Sequence, residues 1–145
     1  MKLVIQRVKK AQVTVTNKIV GKIGLGLLVF VGIGKSDAKK ETAGASNKLL
    51  NLRIFENSDN KFDKSVLDIN GGILVVPQFT LFADCSKGNR PFFGQAARPE
   101  IAKSLFEKFV EELKKSGLKV ESGVFGAKME IEAVNDGPVT IILEN

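Results

Sequence analysis

The alternation of apolar and polar residues predicts strands at the start of the chain. KLVIQRV (residues 2–8) and AQVTVT (11–16) alternate with the period of two that half-buried strands show. Residues 27–31 (LLVFV) are apolar throughout and have glycines nearby on both sides. Such a run is typical of a strand that is buried on both faces.

Two segments show the longer period of an amphipathic helix. Ser36 or Asp37 can cap the first helix, which continues to about Leu52. The second and clearer helix runs from about Pro99, which fits a first turn, to Ser116, after which a glycine stops it. Apolar residues recur about every fourth position along this helix and predict its buried face: Ile101, Leu105, Phe109 and Leu113.

The remaining apolar runs are short and predict further strands. ILVVP (73–77) begins as a buried strand, which Pro77 must end or place at a sheet edge because proline has no N–H to donate. The elements together predict an α+β fold, a single domain over residues 1–145 with a mixed, mostly antiparallel, barrel-like sheet and two main helices. The other predicted strands are RIFEN (53–57), FDKSVLDI (62–69), LKVESGVF (118–125), KMEIEAV (128–134) and PVTIILE (138–144).

Three irregular segments interrupt the apolar runs: residues 77–81 (PQFTL), 123–126 (GVFG) and 135–138 (NDGP). Taken singly, each fits an ordinary strand end, hairpin or turn, since Asn, Asp, Gly and Pro are common turn formers. Strand ends with exposed amides, small residues and a ring are also suitable material for a pocket. The combination of all three favours a binding site.

The composition excludes several kinds of chemistry. The chain has no histidine and one cysteine, Cys85. It therefore contains no Ser-His-Asp or Cys-His unit, no imidazole base and no Cys-rich zinc site. No apolar run is long enough to span a membrane and the N-terminus does not resemble a signal peptide, so a cytosolic protein is expected.

Thr80 carries a hydroxyl group in the irregular segment 77–81 and is a candidate nucleophile. A threonine nucleophile needs an activating base, and a lysine could act as one only if burial lowered its pKa strongly. Thr80 is also β-branched, which fits a plain strand position. Cys85 is interpreted as an incidental thiol because no base accompanies it.

The longest stretch without periodicity is CSKGNRPFFGQAARPE, residues 85–100, which contains both basic and aromatic residues. Lys87 and Arg90 can hold phosphates while Phe92 or Phe93 stacks on an unpaired base. The net charge of +6 also suits a polyanionic partner such as RNA. The alternative interpretation is a loop held in place by two core Phe rings.

Six motifs lie in order along essentially the whole chain. They are VIQRVKKAQVTV (4–15), KLLNLRIFE (48–56), VVPQFTLFAD (75–84), KGNRPFF (87–93), GVFGAKMEI (123–131) and VNDGPVTIILE (134–144). Together they resemble the D-aminoacyl-tRNA deacylase family. The resemblance implies a cytosolic homodimer that hydrolyses the ester joining a D-amino acid, or glycine, to the 3′-terminal adenosine of tRNA. It implies no metal and no organic cofactor.

The resemblance also implies which residues form the catalytic part of the site. Gln78, Phe79 and Thr80 match the family's catalytic motif. The position before Gln78 is usually serine in this family but is Pro77 here, so no role of that serine is transferred. The expected mechanism is hydrolysis assisted by the substrate's own 2′-OH, with backbone N–H groups near Phe79 and Thr80 stabilising the oxyanion.

Substrate selection is implied to depend on main-chain atoms. The resemblance places a cis peptide bond at Gly137–Pro138 and presents it to the pocket of the partner subunit, where carbonyl groups hold the α-ammonium and leave no room for an L side chain. Phe125 and Met129 are the other expected substrate-binding residues. The expected tRNA contacts are Lys87, Arg90 and Phe92. The alternative function is a non-catalytic RNA-binding module that uses this basic, Phe-containing loop.

Overall fold

A computed structural model describes residues 1–144, which form eight strands and two α-helices. The helices are α1 (Lys39–Leu50) and α2 (Pro99–Lys114), and a short 3-10 helix covers Phe79–Phe82. The predicted α+β class is confirmed. The strands are β1 (Lys2–Val15), β2 (Lys18–Ile23), β3 (Gly26–Gly32), β4 (Phe55–Glu56), β5 (Phe62–Lys64), β6 (Gly72–Pro77), β7 (Val120–Ser122) and β8 (Glu130–Glu144).

The main sheet is mixed, has six strands and is built around β1. Five of its strands follow the order β2–β1–β3–β6–β7, and the sixth, β8, pairs with β1 outside this order. One edge of β1 pairs antiparallel with β3 and then with β2, and the other edge pairs antiparallel with β8. β6 lies parallel to both β3 and β7. β2 curls back against β6 and β7, so that a Cβ atom added to Gly21 would lie 3.0 Å from Leu74 Cδ1 and 3.3 Å from Glu121 Cβ. The sheet is therefore nearly closed into a barrel.

The apolar residues form one cluster on each face of the sheet. The larger cluster lies between the sheet and the two helices and includes the fully buried Ile5, Leu49 and Phe109. The smaller cluster lies inside the barrel and includes Val13 and Leu74. Burial of one such side chain stabilises the fold by about 1.5–3 kcal/mol. Within residues 1–144, neither helix is long and apolar enough to cross a membrane.

Both predicted helices are present, with differences in detail. α2 begins at Pro99 as predicted, and Phe109 is fully buried, but Ile101 is 52% exposed. The prediction for Ile101 was wrong because residues four apart rotate by about 40° per step around a helix of 3.6 residues per turn. Ile101 therefore lies outside the buried stripe, and Ala102 lies within it.

The first helix does not begin at either predicted cap. α1 starts after Ala38, whose N–H donates to the Glu41 carboxylate at 2.9 Å. Asp37 is not available as a cap because its carboxylate accepts hydrogen bonds from the Gly34 N–H at 2.6 Å and from the Met1 ammonium at 2.7 Å. Asp37 thus links the start of β1 to the end of β3.

The strand predictions placed two breaks where the chain is continuous. Residues 2–8 and 11–16 were predicted as separate strands but form β1, which runs through an exposed pair of lysines. Residues 128–134 and 138–144 likewise belong to one strand, β8, and the predicted turn at 135–138 is absent. The strands predicted at 53–57, 62–69 and 118–125 are present only as the shorter β4, β5 and β7.

In place of the turn, β8 bulges away from β1. Gln6 pairs with Thr140 and Val8 pairs with Asn135, so four residues of β8 (136–139) lie opposite one residue of β1, Arg7. An insertion of this kind breaks the ladder locally and redirects the strand. Segment 136–139 is called the β8 bulge below.

Candidate active site

A cavity of about 640 Å³ lies at the C-terminal ends of the parallel strands β3 and β6. The 3-10 helix, the start of α2 and the segment after β7 complete its wall. Rings, small side chains and aliphatic groups form the lining, and none of the lining residues is charged. An apolar pocket with a few polar groups is the usual form of a small-molecule site. Predicted site residues that line it are Gln78, Phe79, Phe125 and Met129.

The 3-10 helix is held against β3 by backbone contacts. The Gln78 N–H donates to the Val31 carbonyl at 2.8 Å, immediately after β6 ends at Pro77. Gly32 allows the close approach, since a Cβ atom there would lie only 3.0 Å from Leu81 Cβ and 3.2 Å from the Gln78 carbonyl oxygen. The predicted end of the strand at Pro77 is confirmed.

Two backbone N–H groups at this point have no acceptor within the described residues. The carbonyl of Gln78 accepts from Leu81, as in any first 3-10 turn, and leaves the amides of Phe79 and Thr80 outside the helical pattern. Within residues 1–144, neither amide donates a hydrogen bond. These two amides are therefore available to a ligand beside an apolar cavity.

Aromatic contacts fix the walls of the cavity. The Phe79 and Phe93 rings meet edge to face with centroids 5.0 Å apart. The Phe106 and Phe125 rings are tilted against each other with centroids 6.2 Å apart. Edge-to-face pairs of this kind contribute about 0.5–1.5 kcal/mol beyond their burial. Phe79 is nevertheless 58% exposed, so its outer face is open to a ligand or a partner.

Thr80 is exposed and lies beside the cavity, outside its lining. Its hydroxyl oxygen accepts a hydrogen bond from Nε2 of the Gln78 side-chain amide. Within the described part of the chain, that amide is the hydroxyl's hydrogen-bond partner, and an amide cannot act as a base. The structure thus gives Thr80 an orienting neighbour.

Met129 lines the cavity because a glycine makes room for it. A Cβ atom on Gly123 would lie 2.6 Å from the Met129 Sδ atom. The Gly123 N–H also donates to the Val75 carbonyl at 2.8 Å, which holds the segment after β7 against β6. The predicted irregular segment 123–126 is thereby joined to β6, the strand that ends at the start of the predicted segment 77–81.

Gly137 and Pro138 do not line the cavity of their own chain. Both are exposed, in the β8 bulge, and their peptide bond is cis. Ile131, the last cavity residue on β8, is six residues before Gly137. The φ of Gly137 is +139°, a conformation that favours glycine.

Arg7 holds the β8 bulge in place and was missed in the sequence. Its side chain is 6% exposed, and its Nε lies 3.1 Å from the Asp136 carbonyl oxygen and 3.2 Å from the Asp136 carboxylate. Its other donors reach the Ile54 carbonyl at 2.8 Å and the Glu56 carboxylate at 3.3 Å. The sequence did contain a signal for it. Arg7 follows the buried Leu3 and Ile5 at every second position of β1, so the alternation places a charged side chain on the inner face.

The basic loop protrudes from the cavity wall. Asp84 and Phe92 exchange two backbone hydrogen bonds of 2.8 and 2.9 Å, and Lys87 and Arg90 are exposed between them. The Ser86 N–H donates to the Asp84 carboxylate at 2.9 Å, and this hydrogen bond holds the pKa of Asp84 below its ordinary value. The interpretation of two core rings fails for Phe92, which is 67% exposed.

Comparison with known proteins relates this fold to one family. The model of the family described as D-Tyr-tRNA(Tyr) deacylase matches residues 4–144. The chain belongs to the D-aminoacyl-tRNA deacylase family. The D-aminoacyl-tRNA deacylase of Aquifex aeolicus is 55% identical over 145 residues, and that of Thermosipho africanus is 52% identical. The matches cover 100% of the chain and 98% and 97% of these relatives.

Two solved structures share this fold. A protein named c-Myc DNA unwinding element binding protein superposes with a TM-score of 0.93 and 44% identity, over 100% of the chain and 99% of its own. A probable eukaryotic D-amino acid tRNA deacylase superposes with a TM-score of 0.88, over 98% of the chain and 97% of its own. Its sequence identity is 20%, so this similarity supports the fold alone. The predicted family and the predicted enzyme class, a hydrolase, are confirmed.

Proposed function

We propose that this deacylase hydrolyses the ester of D-aminoacyl-tRNA, and of mischarged glycyl-tRNA, in the cytoplasm, releasing free amino acid and tRNA. The observation that carries the proposal is the pair of unpaired N–H groups on Phe79 and Thr80 beside an uncharged cavity. Preorganised donors aimed at a developing oxyanion are a main source of catalysis in acyl transfer, and one such donor supplies on the order of 10²–10³ in rate.

The proposed reaction uses water as the nucleophile. Water, oriented by the 2′-OH of the terminal adenosine, adds to the ester carbonyl, whose oxygen becomes an oxyanion held by the two amides. The C–O bond to the adenosine then breaks, and the leaving 3′-oxygen takes up the proton that the water loses. Thr80 orients the substrate rather than attacking it, because the group hydrogen-bonded to its hydroxyl is the Gln78 side-chain amide, which is not a base.

The Gly137–Pro138 pair is proposed to select D substrates from a second copy of the chain. The pair is exposed and lies outside the cavity of its own chain, and the outer edge of β8 has no strand partner within residues 1–144. A homodimer would cover this edge and bring the β8 bulge of each copy to the cavity of the other. The bulge carbonyls would then hold the substrate α-ammonium and exclude an L side chain.

Lys87, Arg90 and Phe92 are proposed to contact the tRNA acceptor end. All three are exposed on the loop whose neighbour Phe93 forms part of the cavity wall. Cations can neutralise phosphates and an exposed ring can stack on a base. The other proposed substrate-binding residues, Phe125 and Met129, lie in the cavity itself.

The deciding experiment is deacylation of matched D- and L-aminoacyl-tRNA, with and without a chelator. The proposal expects multiple turnovers with the D substrate, slow hydrolysis of the L substrate and no effect of the chelator. A non-catalytic RNA-binding module, which the basic loop would also fit, protects the ester and gives no turnover. Loss of activity in the chelator would show a metal-dependent hydrolase instead.

A second experiment tests the selecting role of Gly137. Gly137→Ala places a side chain at a φ of +139°, with its Cβ 2.6 Å from the Val139 nitrogen, so the bulge must change shape. The D-to-L rate ratio should fall at least about tenfold, as expected when the selecting contact shifts by about 1 Å. An unchanged ratio in folded, dimeric Gly137→Ala would show that the bulge does not select the substrate.

A further inference from the structure

The segment that carries β4 and β5 contacts the same Arg7 guanidinium that meets the β8 bulge. The Ile54 carbonyl accepts from Arg7 Nη1 at 2.8 Å, and the Glu56 carboxylate accepts from Nη2 at 3.3 Å. The Phe62 ring centroid lies 5.5 Å from the guanidinium carbon, within the range of a cation–π contact. One guanidinium therefore joins the β4–β5 hairpin to Asp136 of the bulge.

The shape of the guanidinium makes this connection directional. Its five N–H bonds lie in one plane in a fixed fork, so holding Nη1 and Nη2 also sets the direction of Nε. Nε is the donor that meets both the carbonyl and the carboxylate of Asp136. Asp136 immediately precedes Gly137, so the orientation of its carbonyl sets where the bulge begins to turn outward.

We propose that Glu56 and Phe62 are positioning residues of the deacylase. They fix the Arg7 guanidinium, Arg7 fixes the Asp136 carbonyl, and the fixed carbonyl sets the direction in which Gly137–Pro138 projects. The inference rests on the proposed role of the bulge in selecting D substrates. It assigns to the β4–β5 hairpin a function in substrate selection.

The position of Glu56 predicts a small effect on stability and a larger one on selection. Its side chain is 43% exposed and its bond to Arg7 is long at 3.3 Å, so the ion pair contributes little to stability. A displacement of about 1 Å at a site can nevertheless change a rate by about 10²-fold. A residue with a merely structural role would lower stability and leave the D-to-L ratio unchanged.

Glu56→Gln is the main variant, and Asp63→Asn is its matched control. Asp63 lies on the same hairpin, is 42% exposed and pairs with Arg53 rather than Arg7, so the control removes the same charge at the same exposure. Single-turnover rates with D- and L-aminoacyl-tRNA give the ratio, and amide hydrogen exchange of residues 137 and 139 reports on the bulge. Urea unfolding verifies that both variants are folded.

The expected result for Glu56→Gln is a D-to-L ratio lowered about 5- to 10-fold, with exchange at residues 137 and 139 raised by a similar factor. Asp63→Asn should leave both within about twofold of the unmodified protein. Phe62→Leu, which keeps the apolar bulk and removes the ring, should lower the ratio by about two- to threefold. Equal results for Glu56→Gln and Asp63→Asn would overturn the inference.

The Gly137→Ala variant separates this inference from the proposed function. Loss of selectivity in Gly137→Ala but not in Glu56→Gln would overturn the role of the hairpin and leave the role of the bulge standing. Unchanged selectivity in both variants would overturn the role of the bulge and, with it, the role of Glu56 in the reaction. Raised amide exchange in Glu56→Gln alone would then still show the physical link between hairpin and bulge.

Discussion

The cavity and the Arg7 site keep their shapes by opposite means. The cavity is lined by uncharged groups, and the proposed mechanism assigns its polar function to the backbone amides of Phe79 and Thr80. The Arg7 site is a buried cation surrounded by carboxylates and carbonyls. Rings and glycines can shift a little without leaving a charge unpaired, whereas removal of the buried guanidinium would leave all of its carboxylate and carbonyl partners without their donor. Substitutions in the cavity should therefore reduce activity first, and substitution of Arg7 should reduce stability first.

The largest effect is expected for Arg7→Ala. Removing one partner of a buried ion pair typically costs 3–5 kcal/mol. Here the cost should be about 3 kcal/mol, since the Glu56 and Asp136 side chains are 43% and 31% exposed and regain some water. Urea unfolding measures this as a lower midpoint at an unchanged slope.

Arg53→Ala is the control for that measurement. The Arg53 side chain is 64% exposed and pairs with Asp63, so its loss should cost less than about 1 kcal/mol. Equal losses for Arg7→Ala and Arg53→Ala would mean that the contrast between a buried and a surface arginine is wrong.

A smaller effect, and on rate alone, is expected for Thr80→Ala. In the proposed mechanism the exposed hydroxyl only orients the substrate, so the single-turnover rate should fall by less than about 10²-fold, whereas removal of a true nucleophile commonly costs 10⁴-fold or more. The unfolding midpoint should stay the same. Mass spectrometry of the quenched reaction checks the mechanism, and an acyl group on Thr80 would contradict the role given to water.

Gly123→Ala tests whether the cavity adapts. Its Cβ would displace the Met129 thioether, which is flexible, so stability should fall by only about 1 kcal/mol. The displaced side chain should enter the cavity and lower kcat/KM about tenfold for a bulky D-aminoacyl-tRNA, and less for glycyl-tRNA. Gly24→Ala, where a Cβ meets nothing within 4 Å, is the control. A similar loss of activity in both variants would argue against a specific effect on Met129.

The smallest effects are expected for Lys87→Ala and Arg90→Ala. Each exposed cation that meets a phosphate contributes about 0.9 to the slope of log affinity against log salt on duplex, and about 0.7 on a single strand. Each variant should therefore raise KM for tRNA a few-fold and reduce the salt slope by slightly less than one. Lys61→Ala, in the turn between β4 and β5, is the control. A slope that does not change in either loop variant would remove the loop from the tRNA contact.

Local pattern was enough to predict α2 but not the course of β8. The start of α2 depends on Pro99 and on an amphipathic period, both of which lie within the segment itself. The absence of a turn at 135–138 depends instead on β1, which pairs with β8 on both sides of the bulge, and on Arg7. Turn propensity was outweighed there by long-range strand pairing, which a local pattern does not contain.

The candidate site could be predicted in part for the same reason. Gln78, Phe79 and Phe125 were recognisable as residues at irregular strand ends, Met129 was expected only from the family resemblance, and all four share one cavity. The 3-10 turn places Thr80 outside the lining and leaves the backbone amides of Phe79 and Thr80 without an acceptor within residues 1–144. Strand periodicity does not reveal such a turn. The partners of Arg7 come from residues about 47 and 129 positions away in sequence and required the tertiary structure.

The pairing of β1 with β8 also bears on how the enzyme is made. Leu3 lies opposite Leu143 and Thr14 opposite Glu130, so β1 receives its neighbour from a strand that is synthesised much later. Contacts of such long sequence separation form late because a long loop must close first. Until residues 130–144 have left the ribosome, β1 lacks one full edge and Arg7 lacks Asp136. We therefore expect a nascent chain to be inactive towards the aminoacyl-tRNAs around it, and to gain activity only after residues 130–144 have emerged.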